Sequence, residues 1–100
     1  MSTKSAEFRL SPRAREDIEA VWLYSLQEWG LAQTERYIDD LTTAFELLTA
    51  RPKAGTSCEN IRPGYRKYPV IRHVVYYRET NYGIEVIRIL HDRMLAPMHL

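Results

Sequence analysis

One hundred residues, 45% of them apolar, suffice for one domain with a small core, read here as residues 1–100. No run approaches the roughly 18 apolar residues of a membrane span, and residues 1–7 lack the apolar stretch of a secretory signal. The net charge of +1 conceals a division, with five basic and nine acidic side chains in residues 1–50 but nine basic and four acidic in residues 51–100.

A lone cysteine, Cys58, excludes an internal disulfide and fits a reducing cytoplasm. His73, His91 and His99 stand apart without metal-ligand spacing, so neither a metal nor a cofactor is expected.

Glu7–Leu10 alternates apolar and polar residues and predicts a first strand. Ser11-Pro12 marks a helix start, because the serine hydroxyl can accept from free N–H groups and proline suits the first helical position. Ala14, Ile18, Val21, Trp22, Ser25 and Trp29 form one stripe of a 3.6-residue period, which assigns both tryptophans to the core. Gly30 ends that helix. Thr34, Ile38, Leu41, Phe45 and Leu48, with Tyr37 and Ala44 beside them, line one face of a second helix that Arg51-Pro52 stops. Two helices joined across Gly30 return antiparallel as a hairpin.

Pro52, Gly55 and Pro63-Gly64 punctuate a loop over residues 52–64, in which Cys58 reads as a bystander. Beyond it, β-branched and aromatic residues predict three strands, over Tyr65–Val70, 72–79 and 84–90. Pro69 points to an edge strand or a bulge. Thr80-Asn81-Tyr82-Gly83 joins the last two strands as a hairpin. Centring its turn between Asn81 and Tyr82 pairs Arg78 with Glu85, Val75 with Arg88 and Arg72 with His91. The class is α+β: an N-terminal strand, a helical hairpin, then a three-stranded antiparallel sheet.

Five segments occur together in order. They are Leu10-Ser11-Pro12-Arg13-Ala14 with Asp17-Ile18, Glu28-Trp29-Gly30, Arg62-Pro63-Gly64, His73-Val74-Val75-Tyr76-Tyr77-Arg78, and Ile87-Arg88-Ile89-Leu90-His91 followed by Arg93. Over nearly the whole chain this pattern resembles the ParE-type toxins of the RelE/ParE superfamily. The resemblance implies a type II toxin–antitoxin module. Its toxin would form a hetero-oligomer with a ParD-like antitoxin, whose carboxy-terminal segment wraps and silences it. It also implies poisoning of DNA gyrase by trapping cleaved DNA, whereas RelE relatives cut messenger RNA on the ribosome. Fold alone does not choose between these activities.

Cleaving RNA through its 2′-hydroxyl needs a general base, a general acid and cations on the phosphate. Arg72, Arg88 and His91 are the candidates for that chemistry, but the tail after His91 lacks the tyrosine of RelE-type sites. Arg88 lies in an apolar strand, where burial without a partner is costly, so an ion pair with an acidic helix residue suits it as well as a functional role. A gyrase poison needs only shape and charge, with no catalytic residue. Arg62, Arg66, Lys67, Arg72 and Arg93 would supply the charge, and Met94, Leu95 and Met98 an apolar contact. Leu23, Leu26 and Leu31 are the candidate anchors for the antitoxin, which could add a helix to the groove or a strand to an open edge. The expectation is a non-catalytic gyrase poison. The alternatives are a ribosome-dependent nuclease and an inactive toxin retained as an antitoxin-binding regulatory subunit.

Overall fold

In the computed structural model, which describes residues 6–100, strand β1 (Glu7–Leu10) runs directly into helix α1 (Pro12–Trp29). The Ser11 hydroxyl accepts from the Ala14 amide at 3.0 Å, and Pro12 occupies the first turn where its missing N–H is harmless. Gly30 adopts φ 85°, a value open to glycine, and so turns the chain at once into helix α2 (Leu31–Ala50). The amino-terminal stretch read for a secretory signal lies, from residue 1 to 5, outside the described residues.

The sheet has five strands in the order β1-β5-β4-β3-β2, two more than the expected three. Strand β2 (Thr56–Ser57) lies inside the stretch read as loop and pairs antiparallel with β3 (Tyr65–Val70). Strand β1 joins the opposite end, parallel to β5 (Gly83–His91), while β4 (His73–Thr80) runs antiparallel between β3 and β5. Because β2 covers only Lys67 and Arg66, β3 is an open edge at Pro69, as a proline requires.

The β4–β5 register begins as expected. Arg78 faces Glu85, and their side chains meet at 2.8 Å. Between Tyr76 and Tyr77 the pairing shifts, leaving Ile87 as an extra residue on β5. From there Tyr76 faces Arg88, Val75 faces Ile89 and His73 faces His91. The expected pairings of Val75 with Arg88 and Arg72 with His91 are therefore each displaced by one. The bulge also reverses which residues face which layer: Ile84 and Val86 face the helices before it, and Ile89 after it.

The main core lies between the hairpin and one sheet face, where Leu41, Phe45 and Leu48 meet Val75, Tyr77, Ile84, Val86 and Ile89. Trp22 is half-buried, but Trp29 is 42% exposed at the end of α1 and is not a core residue as its spacing suggested. The opposite face carries a second cluster of Cys58, Tyr76, Leu90 and Ala96, with Ile61, Tyr65 and Leu100 packed on it. Cys58 is thus a buried part of that cluster, and burial pushes its thiol pKa up, keeping it protonated and unreactive. Tyr77 ties the loop to the sheet by donating to the Pro52 carbonyl at 2.7 Å and accepting from the Gly55 amide at 2.8 Å. A side chain at position 55 would collide with that hydroxyl and with the Lys67 carbonyl, so the contact requires glycine.

Candidate functional site

Two features stand apart from the packed layers: a cleft beneath the helical corner and the chain after β5. The cleft exists because α1 ends at Trp29, over the turn that links β3 to β4. Its walls include Tyr24, Trp29, Ile71 and Arg72, its floor Tyr37, His73 and His91, and its volume is about 230 Å³. The bulge at Ile87 aims His91 here, since without the extra residue its side chain would emerge on the opposite face.

The floor is hydrogen-bonded. The Tyr37 hydroxyl lies 2.5 Å from His73 Nδ1 and 3.1 Å from the Val70 carbonyl. Burial pushes the Tyr37 pKa up, so the phenol keeps its proton. His73 is held below the ordinary histidine range, first by burial and then by the charge of His91. The two imidazoles meet edge to face with centroids 5.4 Å apart. His91 Nδ1 stands 3.0 Å from Asp92 Oδ1 and 3.2 Å from the Arg93 amide, so it donates to the carboxylate when it carries the proton and accepts from the amide when it does not. At the rim, Arg72 lies 5.5 Å from the centre of the Trp29 ring, which in turn meets Tyr24 edge to face.

Arg88 belongs to a different structure. Its Nε and Nη2 donate to the two oxygens of Asp17 at 2.7 and 2.9 Å, with both side chains more than 85% buried (12% and 14% exposed). Asp17 also accepts from the Ile89 amide at 2.9 Å, satisfying an edge of β5 that β1 does not reach. The Asp17 bond raises the Arg88 pKa further. An ion pair with a helix acid, one of the two roles read for Arg88, is thus what the fold contains. The Arg88 Nη1 donates to the His99 carbonyl at 3.0 Å, and Arg62 Nη2 donates to the Leu100 carbonyl at 2.9 Å. These two arginines fasten the tail, while Ala96 and Leu100 pack into the second cluster.

The fastening leaves the remaining tail side chains outward. Residues Ala96–Met98 form one turn of 3₁₀ helix, with Leu95 extended just before it. Leu95 and Met98 are 65% and 76% exposed, with Met94 also exposed.

The remaining candidates separate. Arg66 is half-buried, with Nη1 donating to the Gly55 carbonyl at 2.8 Å, and Arg62 holds the tail, so both do structural work. Lys67, Arg72 and Arg93 are exposed. Of the set Arg72, Arg88 and His91, the cleft brings Arg72 and His91 together, while Arg88 lies apart from them, engaged by Asp17. Leu23, Leu26 and Leu31 are all exposed on the hairpin, Leu23 beside a shallow groove with Ile18, Trp22 and Ile38. Residue patterns passed over His73, Tyr37 and Trp29 because each read as a core or strand position.

The chain matches the family model described as the ParE toxin of the parDE type II toxin–antitoxin system, over residues 8–96. It is 41% identical over 97 residues to Toxin ParE1 of Mycobacterium tuberculosis, covering 96% of this chain and 99% of that one. Toxin ParE1 of Caulobacter vibrioides is likewise 41% identical over 93 residues, covering 93% and 96%. Among solved structures, a chain of the chromosomal ParDE toxin–antitoxin system from P. aeruginosa superposes with a TM-score of 0.74 at 18% identity, covering 89% of this chain and 98% of that one, which supports the fold. With its strand–hairpin–sheet order and near full-length identity to curated toxins, this chain belongs to the ParE toxin family of type II toxin–antitoxin systems.

Proposed function

We propose that this toxin acts in the cytoplasm on DNA gyrase, as a poison that holds a cleaved-DNA intermediate and catalyses no reaction, and that a ParD-like antitoxin silences it. The observation that carries the reading is the tail: Leu95 and Met98 are both exposed on a segment whose last two carbonyls Arg88 and Arg62 hold. A rigid apolar projection flanked by Met94 and Arg93 suits docking into another protein, since ordering it costs little entropy on binding. Lys67 and Arg93 remain as exposed cations for the complex with DNA.

The ribonuclease reading draws support from the His73–His91 pair with Arg72 at the rim of their cleft. It loses Arg88, whose charge is already neutralised by Asp17, as a cation for the phosphate. The antitoxin reading is supported by Leu23, Leu26 and Leu31, which leave apolar surface on the hairpin for an amphipathic segment to cover.

Purified toxin is to be incubated with gyrase and supercoiled plasmid, and in parallel with ribosomes translating a messenger RNA. Accumulation of protein-linked linear DNA with intact message is the expected outcome. Cut message with undisturbed supercoiling would sink the gyrase reading in favour of the nuclease. Silence in both would point to an inactive regulatory subunit.

A further inference from the structure

The cleft beneath the helical corner is not needed for a gyrase contact made by the tail, yet it is built as a receptor. His73 Nδ1 is occupied by Tyr37, and His91 Nδ1 by Asp92 and the Arg93 amide. Neither Nε2 has a hydrogen-bond partner among the described residues, and no buried side-chain nitrogen or oxygen there lacks one. Both Nε2 atoms are therefore open to solvent. With the Arg72 guanidinium at the rim, three nitrogen-bearing groups converge on a space with no acid among its described lining residues, Asp92 and Asp17 approaching the imidazoles from outside it.

Size narrows the ligand. At about 230 Å³ the cleft is smaller than the roughly 300–1,000 Å³ pockets that hold whole small molecules, and it suits a single side chain. In its wall Ile71 and Trp29 are exposed. Ile71 is 68% exposed and adopts φ 54°, a region that disfavours a β-branched residue, so strain presents an apolar side chain to solvent at this point.

We propose that the cleft is an acid-recognition site, seating one Asp or Glu side chain of the antitoxin between Arg72 and the Nε2 atoms of His73 and His91. Aliphatic neighbours of that residue lie across Trp29 and Ile71. The proposal rests on the antitoxin reading above and deepens it by naming the chemistry of the contact.

The groups facing the imidazoles are Asp17 and Tyr24 from α1, Tyr37 from α2, Arg72 from the turn, and His91 with Asp92 at the end of β5. The floor accommodates a protonated His73: Nδ1–H donates to the Tyr37 oxygen, whose hydroxyl donates to the Val70 carbonyl. A carboxylate on Nε2 stabilises that charged form, so binding takes up a proton and tightens as pH falls.

The full-length toxin is titrated with its ParD-like antitoxin at pH 8 and pH 6, as wild type, Arg72→Ala and His91→Gln. Arg72 is exposed in a turn, and circular dichroism confirms that each variant is folded. Wild-type affinity is expected to rise about tenfold at the lower pH. Arg72→Ala is expected to bind at least about tenfold more weakly, and His91→Gln, which removes one of the acid's two imidazole partners, to bind more weakly at both pH values. Unchanged affinity in Arg72→Ala, with a flat wild-type pH profile, would overturn the inference while leaving the antitoxin reading standing. No binding by the wild type would overturn both. Competition by a 5′-phosphorylated trinucleotide that is lost in Arg72→Ala, with antitoxin binding unaffected, would assign the cleft to nucleic acid and also overturn it.

Discussion

Asp17 accepts from both arms of Arg88 and from the Ile89 amide, joining α1, β5 and the tail through one carboxylate. Removing it leaves a nearly buried guanidinium with only the His99 carbonyl as acceptor, and an edge amide with none. Asp17→Ala should cost about 3 kcal/mol in urea denaturation, and Asp17→Asn less, because the amide oxygen still accepts. His73 carries a pH dependence of opposite origin. Burial and His91 hold its pKa below the ordinary 6.5, so the folded chain binds that proton less readily than the unfolded one. Its contribution is complete above that value and is lost as pH falls through the lowered folded value. The free toxin should therefore weaken on acidification, and His73→Phe should flatten the slope of unfolding free energy against pH. At Ile71 the positive φ costs about 1–2 kcal/mol for an L-residue with a side chain. Ile71→Asn should accordingly raise the unfolding midpoint, by about 1 kcal/mol in free energy. Of these residues, the sequence disclosed Arg88 as a candidate for an ion pair, because a charge in an apolar strand needs a partner. It disclosed neither Asp17 as that partner nor the strain at Ile71, since both depend on how the chain returns in space.

Among the elements, helix boundaries were legible from Ser11-Pro12, Gly30 and Arg51-Pro52, whose effects are local. Strand β2 was not legible, because two residues carry no period. Nor was the bulge at Ile87, which lies in an unbroken β-rich run. That single residue moved His91 from a pairing with Arg72 to one with His73, and with it the site from a phosphate clamp to a histidine cleft. Trp29 followed the helical stripe, yet α1 reaches the β3–β4 turn there and leaves the ring half open over Arg72. The tail divides its side chains, with Ala96 and Leu100 inward and Leu95 and Met98 outward. Exchanging exposed residues away from packing changes stability by no more than about 0.5 kcal/mol. Leu95→Ser/Met98→Ser should therefore melt like wild type while losing the gyrase effect, whereas deleting residues 94–100 should also destabilise the second cluster.

Across the whole molecule, the charge division of the sequence resolves into two surfaces. The acidic half forms the hairpin, whose exposed leucines, with the cleft it shares with the sheet, are the surface proposed for the antitoxin. The basic half forms most of the sheet, but its charge is less available than its count suggests, because Arg62, Arg66 and Arg88 are spent on carbonyls and Asp17. What it offers a target is the clamped tail with a few exposed cations around it. On the proposed reading such a surface acts by occupancy and not by turnover. The most direct test is a titration of linearised plasmid against toxin concentration at fixed gyrase. Cleaved DNA should rise only until toxin matches gyrase and then level off, and the Leu95→Ser/Met98→Ser protein should trap none. Full cleavage by a small fraction of an equivalent of toxin, or undiminished trapping by the double variant, would contradict a non-catalytic poison that works through this tail.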